Sequence, residues 1–152
     1  MRTHGHGRAV ERALAGYSRL GEHAACWFAL GLTGAALSRR GETRRAWRRG
    51  IEATAVAYGL NYGVKLLVRR RRPDVGEPLT PVVSQMSFPS AHATTSFAAA
   101  GVYRRAAPAA TPALYGAAAL FAFTRPYLGV HYPTDVLAGA TLGTLVARAW
   151  PR

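Results

Sequence analysis

Residues Ala106–Thr124 read AAPAATPALYGAAALFAFT and contain no Asp, Glu, Lys or Arg. A helix on the surface of a soluble protein needs a polar face, so charge should return every three or four residues. Here it stays away for about five helical turns. A segment that is apolar on every side suits lipid or a large protein core. The chain has 152 residues and a mass of 16.3 kDa, one domain's worth and too few to build such a core. Lipid is the expected surround.

The same pattern extends outward from that stretch. His23–Ser38, Ala53–Val64, Pro78–Tyr103 and Val136–Ala147 are also free of charged residues. A bilayer span takes roughly 20 mostly apolar residues, with about 17 to 25 observed. Helices are therefore expected at 22–38, 50–69, 90–104, 110–124 and 134–149. Several are short, so tilting or snorkelling Arg at their ends is expected too. Before them, Arg8–Leu20 (RAVERALAGYSRL) places Val10, Leu14, Tyr17 and Leu20 on one stripe, which reads as an amphipathic helix lying in the membrane interface. The expected fold is an all-α, polytopic transmembrane bundle of about five spans. It forms a single domain over 1–152, with tail and interfacial helix in 1–21 and the bundle in 22–149. The first apolar run lacks a signal-peptide cleavage site. His4 and His6 read as part of a tail rather than as metal ligands, and Cys26 reads as a small apolar residue in a helix.

Charge narrows the partners. Twenty Lys+Arg face seven Asp+Glu, a formal net charge of +13, and Lys65 is the single lysine. Such an excess calls for a polyanion: nucleic acid, anionic lipid or a phosphorylated substrate. A nucleic-acid-binding protein of this size would not need the long charge-free runs, so no nucleic-acid partner is expected. Laid out over five spans, the cations divide evenly, ten to a side, and the positive-inside rule alone does not orient the chain.

Three polar clusters fall on one of those sides. Lys65 and Arg72 are seven residues apart and Pro73 follows. On a continuous helix, seven steps would put both cations on one face, the outline of a phosphate clamp. The alternative is a run of snorkelling cations. Next comes Pro89-Ser90-Ala91-His92. A serine ahead of a helix is a natural N-cap, the free N–H groups of the first turn suit an anion, and His92 would sit beside it. Third are Arg125, His131 and Asp135. Pro133 can open the last helix, and a carboxylate four residues after His131 can orient its imidazole. An oriented imidazole near three cations is a good nucleophile towards phosphorus. An Asp this close to lipid is costly unless it serves a site.

These blocks, Lys65-LLVRRR-Arg72-Pro73, Phe88-Pro89-Ser90-Ala91-His92 and Thr124-Arg125-PYLGV-His131-YPT-Asp135, resemble the tripartite signature of the type 2 phosphatidic acid phosphatase superfamily. The resemblance is close over 65–135. It implies a helical bundle and a phosphohistidine mechanism without metal or cofactor. On that pattern His131 is the nucleophile, Asp135 its orienting partner and His92 the general acid. Lys65, Arg72, Arg125, Ser90 and the amide of Ala91 would hold the phosphoryl oxygens. Two positions depart from the pattern: Ala91 replaces a glycine, and Thr124 replaces a serine. Neither removes a group that the chemistry uses.

The membrane branch of the family implies an amphiphilic lipid or polyprenyl phosphate as substrate, with membrane lipids as the remaining partners. Homo-oligomerisation is left open. The Arg- and Ala-rich composition suggests a GC-rich genome, where short members of the family act on decaprenylphosphoryl-5-phosphoribose, so that lipid is the first expectation. A polyprenyl diphosphate comes next, then phosphatidic acid or phosphatidylglycerol phosphate. The non-enzymatic alternative is a phospholipid-binding membrane protein that keeps the fold, which the intact His92, His131 and Asp135 argue against. Setting Lys65, Arg72 and Arg125 aside as substrate ligands leaves ten cations against seven, which favours an extracytoplasmic active site.

Overall fold

The computed structural model describes residues 7–74, 79–82 and 84–151; His4, His6, Arg2 and Arg152 lie outside them. Within these residues the chain forms α1 (Arg8–Leu20), α2 (Ala25–Leu37), α3 (Gly41–Val68), α4 (Ala91–Ala106), α5 (Thr111–Tyr127) and α6 (Pro133–Ala149). One isolated bridge, Arg71 to Met86, is the only β pairing among the described residues. The all-helical expectation holds, and every expected helix is present.

α4 is the central post, packed against α3, α5 and α6. Its sequence, AHATTSFAAAGVYRRA, is mostly Ala, Thr, Ser and Gly, and it is buried from His92 to Tyr103 except at Phe97. Small side chains let neighbouring backbones come close. α6 exploits this with Gly139 and Gly143, one turn apart on one face. A Cβ at Gly139 would overlap the Ser90 carbonyl oxygen, and one at Gly143 the Thr94 carbonyl oxygen. Hydrogen bonds lock the other neighbours. Trp27 Nε1 donates to Ser96 Oγ (2.8 Å) and Tyr103 Oη to the Trp27 carbonyl (2.9 Å), tying α2 to α4. Tyr17 stacks on Phe121 at 4.2 Å and donates to the Ala117 carbonyl, so α1 rests on α5. Cys26 packs half-buried at the edge of this core.

Two expectations need correction. α3 begins at Gly41, not near residue 50, because Arg44, Arg45, Arg48 and Arg49 are good helix formers that extend the apolar half with a charged one. It also stops at Val68. Arg69 takes a left-handed conformation (φ 50°, ψ 30°), its amide bonds the Lys65 carbonyl, and the chain beyond runs extended. Lys65 and Arg72 therefore do not share a helix face.

No helix among the described residues is long and apolar enough to cross a membrane. The 13 residues of α2 reach ~20 Å and the 17 of α5 or α6 ~26 Å, against a hydrocarbon core of ~30 Å. α3 is long enough at 28 residues, but its first part is charged. Helix length and hydropathy among the described residues therefore do not establish the count of five spans. The outer faces are nevertheless apolar: Leu32, Leu37, Leu67, Phe123, Leu137 and Leu145 are all exposed, on α2, α3, α5 and α6.

The contact of α6 with α4 can be tested directly. Gly143→Ala should destabilise the protein by about 1–3 kcal/mol through overpacking against backbone that cannot yield. Gly116→Ala, with open space around its Cβ, should be neutral or stabilising by up to about 1 kcal/mol. Thermal unfolding in detergent compares the two.

Candidate active site

The three clusters meet at one end of the bundle. Lys65 is near the C-terminus of α3, His92 in the first turn of α4, Arg125 in the last turn of α5 and Asp135 in the first turn of α6. His131 lies between α5 and α6. A cavity of about 110 Å³ is lined by Lys65, Arg72, Ala91, His92, Arg125 and His131. Asp135 and Ser90, both fully buried, stand behind this lining. Ser90 is at the N-cap of α4, but its hydroxyl makes no capping bond and has no hydrogen-bond partner. Its amide instead donates to the Asp135 carbonyl (2.9 Å), joining the start of α4 to the start of α6.

The contacts of His131 decide its chemistry. Arg72 Nη1 stands 3.2 Å from His131 Nε2. A guanidinium can only donate, so Nε2 carries the lone pair and Nδ1 the proton. Nδ1 faces Asp135 Oδ2 at 3.4 Å, an ion-pair distance without hydrogen-bond geometry, so the carboxylate acts on the ring through its charge. Asp135 is itself fixed, since Oδ2 accepts the Tyr132 amide (2.9 Å) and Oδ1 pairs with Arg70 (3.0 Å). Burial pushes the His131 imidazole down to about 4; the Asp135 carboxylate works against that, and the neighbouring cations add to it. At neutral pH His131 is an uncharged base with its lone pair turned towards the cationic cavity.

The remaining groups are held by backbone. Lys65 Nζ donates to the Met86 carbonyl (3.1 Å), and Arg72 to the carbonyls of Ser84 and Val130 (both 2.7 Å). His92 Nε2 lies 2.9 Å from the Ser18 carbonyl; a carbonyl only accepts, so Nε2 holds a proton and Nδ1 is the exchangeable position. Arg125 Nη1 donates to Ser18 Oγ, while its Nε has no partner.

Three contributors escaped the sequence reading. Arg70 had been one of a run of cations, yet it pairs with Asp135, donates to Thr134 Oγ1 (2.8 Å) and lies over the Tyr132 ring (4.0 Å). The signal was available: Pro73 biases Arg72 towards extended backbone, and in an extended run alternate side chains face the same way. Arg70 and Arg72 accordingly turn in while Arg69 and Arg71 are exposed. Asn61 bonds the Pro89 carbonyl and Thr94 Oγ1, docking the start of α4 on α3. Ser18 belongs to α1, whose stripe pattern pointed only to the membrane surface.

The superfamily's sequence model, PAP2 superfamily, matches residues 49–152. This chain belongs to the PAP2 superfamily. It is 43% identical over 136 residues to a decaprenylphosphoryl-5-phosphoribose phosphatase of Mycobacterium tuberculosis, covering 86% of this chain and 73% of the relative. It is 38% identical over 148 residues to the Mycolicibacterium smegmatis protein of the same name, covering 86% and 77%. Among solved structures it is similar to a transmembrane PAP2-type phosphatidylglycerolphosphate phosphatase from Bacillus subtilis. That match has a TM-score of 0.78 and 25% identity, and covers 94% of this chain and 75% of the other. The family expected from the three motif blocks is the family found.

Two outcomes test the PAP2 site. The acid limb of kcat/KM should fall at about pH 4, where protonation removes the His131 lone pair, rather than at the ordinary value of about 6.5; a pH–rate profile reads this. Arg70→Met should lower kcat about tenfold or more with little change in KM, because Arg70 fixes Asp135 without lining the cavity. Arg70→Lys should recover part of the loss.

Proposed function

We propose that the chain is a membrane phosphatase that removes the phosphate of a polyprenyl-linked sugar phosphate, decaprenylphosphoryl-5-phosphoribose first, through a phosphohistidine at His131. The observation that carries the chemistry is the Nε2 lone pair of His131 in a cavity lined by Lys65, Arg72 and Arg125. The names of the relatives at 38–43% identity support the substrate. The Bacillus subtilis likeness favours phosphatidylglycerol phosphate as the second reading.

In this reading the phosphate enters among Lys65, Arg72, Arg125 and the free N–H groups at the start of α4, and Arg72 passes from His131 to a phosphoryl oxygen. Nε2 attacks phosphorus as the P–O bond to the leaving group breaks. The departing oxygen takes a proton from His92 Nδ1; the dianionic phosphate favours the protonated form of that imidazole until then. Asp135 stabilises the positive charge gained by the His131 ring. His92, now neutral, takes a proton from a water that attacks phosphorus as the P–Nε2 bond breaks, which frees phosphate and returns the lone pair to Nε2. The cations supply electrostatic stabilisation as charge builds on the phosphoryl oxygens.

We also place the bundle in a membrane with the cavity on the extracytoplasmic side. The apolar outer faces support the first point. For the second, assigning Arg70 to the site as well leaves, among the described residues, nine cations at the opposite end against five. Tilt and partial burial of α2, α5 and α6 in thinned lipid would accommodate their length.

Purified protein in excess EDTA should release phosphate from decaprenylphosphoryl-5-phosphoribose with a higher kcat/KM than from phosphatidylglycerol phosphate or a polyprenyl diphosphate. His131→Ala should abolish turnover, and Asp135→Asn should lower kcat by about a hundredfold or more. A strict need for added divalent metal, or full activity in His131→Ala, contradicts the mechanism.

A further inference from the structure

The catalytic cavity does not end at its cations. Its lining also includes Glu22, His23, Tyr58 and Tyr62, and the exposed His23 and Tyr62 mark its mouth. The chemistry changes there from guanidinium and ammonium to carboxylate, imidazole and phenol. We propose that Glu22, His23 and Tyr58 form a subsite for the hydroxyls of the sugar that carries the phosphate. The assignment rests on the phosphatase reading above and specifies what that site selects.

Three observations support it. First, His23 Nδ1 and Tyr58 Oη are 2.9 Å apart, so a residue after α1 and one on α3 are already joined across the mouth. Second, this join is made by unusual backbone. His23 (φ 51°, ψ 24°) and Ala24 (φ 58°, ψ 23°) are both left-handed, a conformation non-glycine residues seldom adopt and one that concentrates at functional sites. Ala24 is buried, and Gly21 before it lies so close to Phe121 and His92 that a Cβ would crowd both rings. The corner is thereby pressed against the catalytic histidine. Third, the charges discriminate. The Glu22 carboxylate is within electrostatic reach of Arg125. A second phosphate at this place, as in a diphosphate, would meet a like charge. A neutral vicinal diol would instead donate to both carboxylate oxygens. Tyr62, half exposed at the same mouth, offers an aromatic face to a sugar ring.

The test uses the full chain in detergent, with His131→Ala as background so that ligands are not turned over. Calorimetry compares ribose 5-phosphate with glycerol 3-phosphate, and inorganic phosphate reports that the cavity is intact. Ribose 5-phosphate should bind about tenfold more tightly than glycerol 3-phosphate. Glu22→Gln and Tyr58→Phe, each added to that background, should bring the ratio towards one while inorganic phosphate still binds. Equal binding of the two head groups before these substitutions, or a preference that survives both, overturns the subsite. A parallel assay of the active chain separates the two levels. A binding preference without hydrolysis of decaprenylphosphoryl-5-phosphoribose removes the substrate reading and leaves the subsite. Hydrolysis without a Glu22-dependent preference does the reverse.

Discussion

Two buried cations, Lys65 and Arg125, and a half-buried third, Arg72, around an uncharged imidazole would be prohibitively costly if each lacked an acceptor. The fold meets that cost with hydrogen bonds to backbone and one hydroxyl rather than with paired carboxylates. Lys65 is held by Met86, Arg72 by Ser84 and Val130, and Arg125 by the Ser18 hydroxyl. The carboxylate of Asp135 is spent on His131, Tyr132 and Arg70. The cavity therefore keeps a net positive field that a phosphate can neutralise, and the same field favours the neutral form of His131. Burial is the larger cause of that neutrality, and the cations add to it.

That arrangement explains the packing. Asp135 must reach His131 from α6 while Ala91 and His92 face the cavity from α4, so the starts of the two helices have to lie nearly in contact. Gly139 and Gly143 allow this, and the bond from the Ser90 amide to the Asp135 carbonyl fixes it. Asn61 does the same between α4 and α3. α1 closes the assembly from outside: its Ser18 touches both His92 and Arg125. A helix that the stripe of Val10, Leu14 and Tyr17 assigns to the membrane surface is thus also a wall of the site.

Much of this was legible in the sequence because motif spacing and charge placement are local properties. The charge-free runs located α2, α4, α5 and α6, and Pro133 marked the start of α6. His92, His131, Asp135, Lys65, Arg72 and Arg125 do converge. What was not legible depended on backbone conformation or on contacts between distant segments. Helical periodicity put Lys65 and Arg72 on one face, but the left-handed turn at Arg69 breaks that helix and hands Arg70 to Asp135. Serine chemistry predicted a capping bond at Ser90 that does not form. Ser18 and Asn61 look like any polar residue in a helix until the neighbouring chain is in place. The number of membrane spans was likewise not legible, since the described helices are shorter or more charged than the charge-free runs suggest.

The central claim is that the Nε2 of His131 takes the phosphoryl group while His92 serves proton transfer. The most direct measurement is rapid-quench mass spectrometry during single turnover of p-nitrophenyl phosphate in His92→Ala, because this leaving group departs without an acid while loss of the base for the second step should let the intermediate accumulate. A phosphoryl group mapped to His131 is the predicted result. Phosphate release with no labelled protein at any quench time, or a label on a residue other than His131, would contradict it.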